Sequence, residues 1–310
     1  MDSLQITKPV VFGIIGGVLL FSSVIYLVNF ERSTEDEPEV DSVVEVADPV
    51  DEPKETGSSG RVIGSSVMGR DIEVQTFNHV EGDEERAHVV FVGGIHGGYE
   101  WNSVLLAYEL IDHFEENPDI IPESVSVSVV PSANPDGVEM VTGKTGRFTP
   151  DDIPSFEETI PGRFNANGVD LNRNFDCNWQ SESTWQGEVI DAGEEAFSEP
   201  EARAIRDLVS EYEPDAVIFW HSAAGAVFGS ECNEGILPGT IDVMNVYAEA
   251  SGYPAIESFD FYEITGDAEG WLATLGIPSI TIEFTTHDDM EWEKNLAGVL
   301  AVLEYFGETE

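Results

Sequence analysis

Apolar and polar positions change rhythm along this chain, and each change predicts a different kind of segment. Residues 9–30, PVVFGIIGGVLLFSSVIYLVNF, are apolar and uncharged, and about 20 such residues span a bilayer core. A cleaved leader has a shorter apolar stretch and a small-residue cleavage site. Neither is evident, so the run is expected to be a single uncleaved transmembrane anchor behind a short tail, residues 1–8. Residues 31–60 are rich in Glu, Asp, Pro and Ser, with no amphipathic period. Such a segment cannot bury enough surface to fold, which predicts an acidic, disordered linker.

From about residue 61 to residue 310, short β-branched runs alternate with stretches of helical spacing, the pattern of an α/β sheet domain. RVIGSSV and DIEVQTF around Met68-Gly69-Arg70 predict an opening hairpin, and HVVFVGGI a buried strand. NSVLLAYELIDHF has apolar residues at helical spacing. SVSVSVV reads as a strand that ends at Asn134-Pro135-Asp136-Gly137, a turn composition. Residues 138–197 show little period. Ser198, ahead of Glu199-Pro200-Glu201, reads as the cap of a helix running to about Ser210. DAVIFW and IPSITIEF read as strands, IDVMNVYAEAS as a helix, and Trp292 to Phe306 as a closing helix.

The charge balance narrows the partners. With 61 acidic and 13 basic residues the chain carries −48, so it has no basic surface to displace counterions from nucleic acid. Residues 61–310 alone hold 49 acids and 10 bases, a net of −39, so the acidity belongs to the folded domain. Low Lys with high Asp and Glu reads as adaptation to a salty environment; the plainer reading is an acidic, soluble exported protein. Lys8 and Arg32 flank the apolar run, and we expect the amino terminus inside and the domain outside the cell membrane. Cys177 and Cys232 are too few for a zinc cluster. In an exported domain they would pair, and in a cytosolic one they would stay free.

Polar residues stand where the apolar runs stop: His96 with Glu100 after HVVFVGGI, His221 after DAVIFW, and Glu283 after PSITI. Two histidines and a carboxylate suit zinc and leave a fourth position for water. A lone histidine at a strand end is more often structural, but two at matching strand ends, among six in the chain, carry weight. A carboxylate inside ITIEF is costly unless paired or used; beside such a metal it would be the general base. Arg163 and the Arg173 of GVDLNRNF lie in the loop-rich centre among Asn165, Asn167, Asn172 and Asn174. An arginine fork binds a carboxylate through two parallel hydrogen bonds. Arg70, Arg203 and Arg206 are read instead as partners of surplus acids.

Together IGSSVMGRDI, GGIHGGYE, NPDG, GVDLNRNF, SEPEARAI, the strand ending in His221-Ser222, YEITGDAEGW and TIEF resemble the zinc carboxypeptidases, the M14 metallopeptidases, over residues 61–305. The resemblance implies a three-layer α/β/α sandwich around a mixed, largely parallel twisted sheet. It implies one zinc ion on His96, Glu100 and His221, with Glu283 as base and proton shuttle and Arg163 stabilising the oxyanion. It also implies that Asn172 and Arg173 hold a terminal carboxylate while Tyr262 closes over it, and that the stretch with Asp267 and Glu269 lines the pocket for the terminal side chain. An acidic pocket there would favour Lys, Arg or diaminopimelate.

Two features depart from the family pattern. His and Glu of the first motif are usually three residues apart and here are four apart, and the Arg163–Arg173 interval is short, as in the bacterial amidase-like branch. The implied activity is a membrane-anchored metallocarboxypeptidase acting on peptides with a free carboxylate. The alternatives are a zinc amidase or deacylase on murein peptides or acyl amino acids and, less favoured, a non-catalytic surface binding module.

Overall fold

The computed structural model describes residues 57–308, apart from residues 81, 83, 84, 234 and 260. The expected tail, the anchor at residues 9–30 and residues 31–56 of the expected linker lie outside the described residues. Among the described residues, no helix is long and apolar enough to cross a membrane. The first strand begins at Ser59, so the domain starts slightly before the expected boundary.

The strands are β1 (Ser59–Ser65), β2 (Asp71–Phe77), β3 (Ala87–Val92), β4 (Val125–Val130), β5 (Glu182–Trp185), β6 (Glu188–Asp191), β7 (Ala216–Ser222), β8 (Ala226–Gly229), β9 (Ala255–Ile256) and β10 (Ser279–Phe284). The helices are α1 (Trp101–Glu116), α2 (Pro135–Thr142), α3 (Phe156–Thr159), α4 (Pro200–Tyr212), α5 (Pro238–Ser251), α6 (Ala268–Thr274) and α7 (Trp292–Glu308). Eight strands form one sheet in the order β1-β2-β4-β3-β7-β10-β8-β9. Its centre, β4-β3-β7-β10, is parallel; β1 pairs antiparallel with β2 and β2 with β4, while β8 is antiparallel to β10 and parallel to β9.

Strands β3 and β7 read as apolar runs because both faces of the sheet are covered there, whereas β4 and β10 carry Ser, Thr or Glu at alternate positions. Ala216, Ile218 and Trp220 of β7 pack with α1, α5 and α7. Val217 and Phe219, which alternate with them, pack with α4 and α6 on the other face. The described residues thus form helix, sheet and helix in three layers.

Several local readings change. Asn134-Pro135-Asp136-Gly137 is not a plain turn but the start of α2. Asn134 caps it by accepting the Gly137 N–H at 2.9 Å, and Pro135 fills the first helical position, where no N–H is needed. Helix α4 runs to Tyr212, with Glu199 rather than Ser198 at the cap position. Ser198 instead donates to the Glu199 carboxylate and accepts from Asn174. The hairpin β5-β6 lies in a stretch read as irregular. It turns through Gln186 and Gly187, both with φ > 0 (51° and 84°), as tight hairpin turns require. Arg70 and Arg206 do pair with acids, Arg70 with Asp136 and Glu139 and Arg206 with Asp207. Arg203 instead donates to the carbonyls of Phe197 and Ser198.

Candidate active site

Parallel pairing determines where the polar strand-end residues stand. In the β7-β10 ladder His221 is directly opposite Glu283, and Phe219 is opposite Thr281. Side chains opposite each other on parallel strands share a face, so His221, Glu283 and Thr281 all point to the α6 side. His96 reaches the same place from β3, the neighbour of β7.

Glycine makes that reach possible. Gly97 has φ +47°, and a Cβ there would meet the Gly162 carbonyl at 2.6 Å and the Gly137 Cα at 2.9 Å. The turn after His96, the start of α2 and the loop carrying Arg163 are therefore packed backbone on backbone. The same Gly97–Glu100 turn absorbs the extra residue between His96 and Glu100. Within that turn Tyr99 is buried, and its ring packs on Trp185 and His287 at 5.3 and 4.7 Å.

The donor atoms of three residues converge. Glu100 Oε1 is 2.8 Å from His96 Nδ1, Glu100 Oε2 is 3.0 Å from His221 Nδ1, and the two Nδ1 atoms are 3.2 Å apart. All three residues are buried, and they form a group able to hold one metal ion. Two imidazole nitrogens and a carboxylate make a zinc-type donor set with room for a further ligand. Burial alone would raise the Glu100 pKa, but the two histidines hold its carboxyl far below the usual range. Glu283 lies beside the group, with Oε2 buried and lacking a hydrogen-bond partner among the described residues. Burial, reinforced by the Glu100 charge, pushes its carboxyl up to about 7.

Each imidazole turns its other nitrogen to a carboxylate. His221 Nε2 is hydrogen-bonded to Glu269 Oε1 at 3.1 Å, whereas His96 Nε2 lies 3.3 Å from Asp170 Oδ1, at ion-pair distance but without hydrogen-bond geometry. Asp170 Oδ2 also accepts from Nε and Nη2 of Arg163, both at 2.8 Å. Arg163 is buried over the Trp185 ring, 4.5 Å from its centroid. Asp170 was not singled out in the sequence, although it lies inside GVDLNRNF.

The remaining expected residues line the same cavity, of about 810 Å³. Asn172 accepts the Ala268 N–H through Oδ1 at 2.9 Å, which leaves its NH2 as a donor. Arg173 is buried; its Nη1 donates to the Asn172 carbonyl, and its Nε has no hydrogen-bond partner among the described residues. Tyr262 is 36% exposed and packs on Phe259 at 5.0 Å. Asp267 and Glu269 are both in the wall, but in different states. Asp267 caps α6 through the Gly270 N–H at 2.7 Å, and burial together with Glu269 pushes its carboxyl up to about 6. The Glu269 carboxylate is engaged with His221 and with Thr281 Oγ1 at 3.0 Å.

Two further features belong to the wall, and only the first is new beside the sequence. Asn102 donates to the carbonyls of Thr286 and Asp289 and accepts from Ser222 Oγ, which in turn is 2.8 Å from His287 Nδ1. With the Ser222 hydrogen committed to Asn102, the His287 Nδ1 is assigned as a donor. Cys177 and Cys232 form a disulfide joining two segments of the wall, the pairing expected of an exported chain.

Residues 56–294 match the family described as zinc carboxypeptidase. An uncharacterized protein, YqgT, of Bacillus subtilis (strain 168) is 28% identical over 231 residues, covering 66% of this chain and 59% of that protein. Murein peptide amidase A of Escherichia coli (strain K12) is 33% identical over 132 residues, 39% of this chain and 51% of that protein. The chain thus spans little more than half the length of these curated relatives. The crystal structure of murein-tripeptide amidase MpaA from Escherichia coli O157 has the same fold. Its TM-score is 0.55 at 23% identity, and the match covers 81% of this chain and 93% of that one.

Proposed function

We propose, for a chain that belongs to the zinc carboxypeptidase family, that it is a zinc-dependent hydrolase removing the C-terminal residue from peptides. The observation that carries this reading is the buried Arg173, in the wall of the cavity that also contains His96, Glu100 and His221. In a domain with 49 acids and 10 bases, an arginine with an unpartnered Nε in the cleft suits a substrate that brings its own carboxylate.

His96, Glu100 and His221 would hold the zinc, which when bound supplies Lewis acidity toward water and the scissile carbonyl. Glu283 takes the proton of the attacking water and returns it to the leaving amine. Arg163, held by Asp170, offers its remaining N–H groups to the oxygen that gains charge in the transition state. Asn172 and Arg173 grip the terminal carboxylate, and Tyr262 covers it. Asp267 faces the terminal side chain and favours an ammonium there.

The decisive assay incubates the zinc-loaded chain with peptides ending in a free carboxylate or in an amide, varying the last residue among Lys, Leu and Glu. Release of the last residue from the free-acid peptides alone is expected, fastest for Lys. Equal cleavage of the amidated peptides would sink the carboxylate-binding role of Arg173. No preference for Lys would sink the role of Asp267.

A second reading, an amidase on murein peptides, is favoured by the likeness to murein peptide amidase A and by the short Arg163–Arg173 interval. It predicts cleavage of murein tripeptide well above that of ordinary peptides in the same assay. We further propose that residues 9–30 anchor the chain and that the domain lies outside the membrane, a placement supported by the disulfide. Protease added to intact cells should then remove the domain; protection from it would refute that orientation.

A further inference from the structure

The wiring behind the two histidines differs. Asp170, behind His96, also anchors Arg163. Glu269, behind His221, has neither lysine nor arginine in contact among the described residues; its side-chain partners are His221 Nε2 and the Thr281 hydroxyl. It is only 3% exposed, in a region that also holds Asp267, Glu283 and Glu100. An ionised carboxylate so placed costs several kcal/mol unless it is paired.

The fold brings this contact about deliberately. His221 on β7 and Thr281 on β10 share the face on which α6 packs, and the first turn of α6 carries Glu269. Asp267 caps that turn through the Gly270 N–H, so the backbone bearing Glu269 is fixed from one side and its carboxylate from the other.

We propose that Glu269 is a positioning residue for the metal rather than a substrate-binding acid. Its carboxylate holds the His221 Nε2 proton, which leaves the Nδ1 lone pair directed at the point shared with His96 and Glu100. A carboxylate behind a ligating imidazole fixes its tautomer and orientation and raises its basicity. The occupant it favours is a divalent cation that accepts nitrogen and oxygen ligands. The two acids of YEITGDAEGW thus divide the work: Glu269 serves the metal through His221, and Asp267 alone faces the substrate side chain. This inference rests on the zinc reading of the site and extends it by one residue.

The test uses the full chain and measures zinc affinity by competition with a chromophoric chelator, independently of turnover. Glu269→Ala should weaken zinc binding about 10- to 100-fold. Glu269→Gln, which can still accept from Nε2 but lacks the charge, should fall between it and wild type, and Glu269→Asp should recover part of the loss. At saturating zinc, the ratio of Lys- to Leu-terminated peptide cleavage should not move. Thermal unfolding of each metal-free variant identifies any that fails to fold, and Glu269→Gln then carries the comparison.

Zinc affinity within twofold of wild type in the folded Ala and Gln variants overturns the proposal. So does a collapsed Lys-to-Leu ratio with unchanged zinc affinity. A wild-type chain that binds no stoichiometric zinc overturns the zinc reading along with it, whereas normal wild-type binding with unaffected variants overturns this inference alone.

Discussion

Replacing Asp170 with Asn keeps its shape and removes its charge at the point where the candidate metal group meets Arg163, the arginine proposed for the oxyanion. The carboxylate is fully buried. Its Oδ2 accepts from Arg163 Nε and Nη2, and its Oδ1 accepts the Asn172 N–H at 3.0 Å while facing His96 Nε2 at 3.3 Å. An amide has only one accepting oxygen. Whichever way it turns, its NH2 meets donors: the guanidinium in one rotamer, the Asn172 N–H and His96 in the other.

Arg163, 3% exposed, would keep only Glu100, at 3.7 Å, as an ionic partner among the described residues. Removing one member of a buried pair costs about 3–5 kcal/mol, a large share of the roughly 5–15 kcal/mol that holds a domain folded. Urea unfolding of the metal-free chain should register that loss, and chelator competition should show zinc held about 10- to 100-fold less tightly. An Asp170→Asn variant within about 0.5 kcal/mol of wild type, the range of an ordinary surface change, would refute the reasoning.

Three other outcomes are expected. Glu283→Gln should abolish peptide hydrolysis while zinc content, measured by atomic absorption, stays at wild-type level; near-normal turnover would displace Glu283 as the base. His88, buried against Ser128, has its imidazole pushed down to about 4 by burial and by His79. The unfolded chain therefore binds the proton first as pH falls from 6.5, and stability is lost until about pH 4. The loss is about 3 kcal/mol, and urea midpoints for His88→Gln should fall less steeply over that range. Converting both Cys177 and Cys232 to Ser opens a loop closed across a sequence separation of 55, and calorimetry should show a loss of about 4 kcal/mol.

The parts of the fold legible in the sequence were those whose burial is two-sided. HVVFV and AVIFW declare themselves because strands covered on both faces have no polar alternation to confuse the reading, and the histidines that follow them stand out for the same reason. SITIEF is legible from its β-branched and aromatic residues, which alternate with Ser279, Thr281 and Glu283. What hid were elements with little burial or mixed signals. The β5-β6 hairpin is largely exposed, so no apolar run marks it, although Gln186-Gly187 between Trp185 and Glu188 was a usable turn signal. Asn134-Pro135-Asp136-Gly137 has the composition of a turn and of a helix start alike, and the packing of Gly137 against Gly162 accompanies the second. The role of the partners behind the candidate metal group is not legible in the sequence. Asp170 is one among 61 acids, and Glu269 reads there as a pocket acid; the sheet register and the seating of α6 bring it behind His221.

That register divides the labour of the molecule. The group proposed as base and one proposed ligand are rungs of a single ladder, Glu283 opposite His221. Their separation is set by peptide hydrogen bonds, and a slip of one residue in either strand would turn that strand's side chain to the opposite face and part the two. Asn172, Arg173, Tyr262 and Asp267 instead ride on loops and helix starts. On the proposed function, lengthening or recolouring those loops would change what is cut while the chemistry stays in place, with the inner sheet as a fixed chassis and the loops as exchangeable tooling.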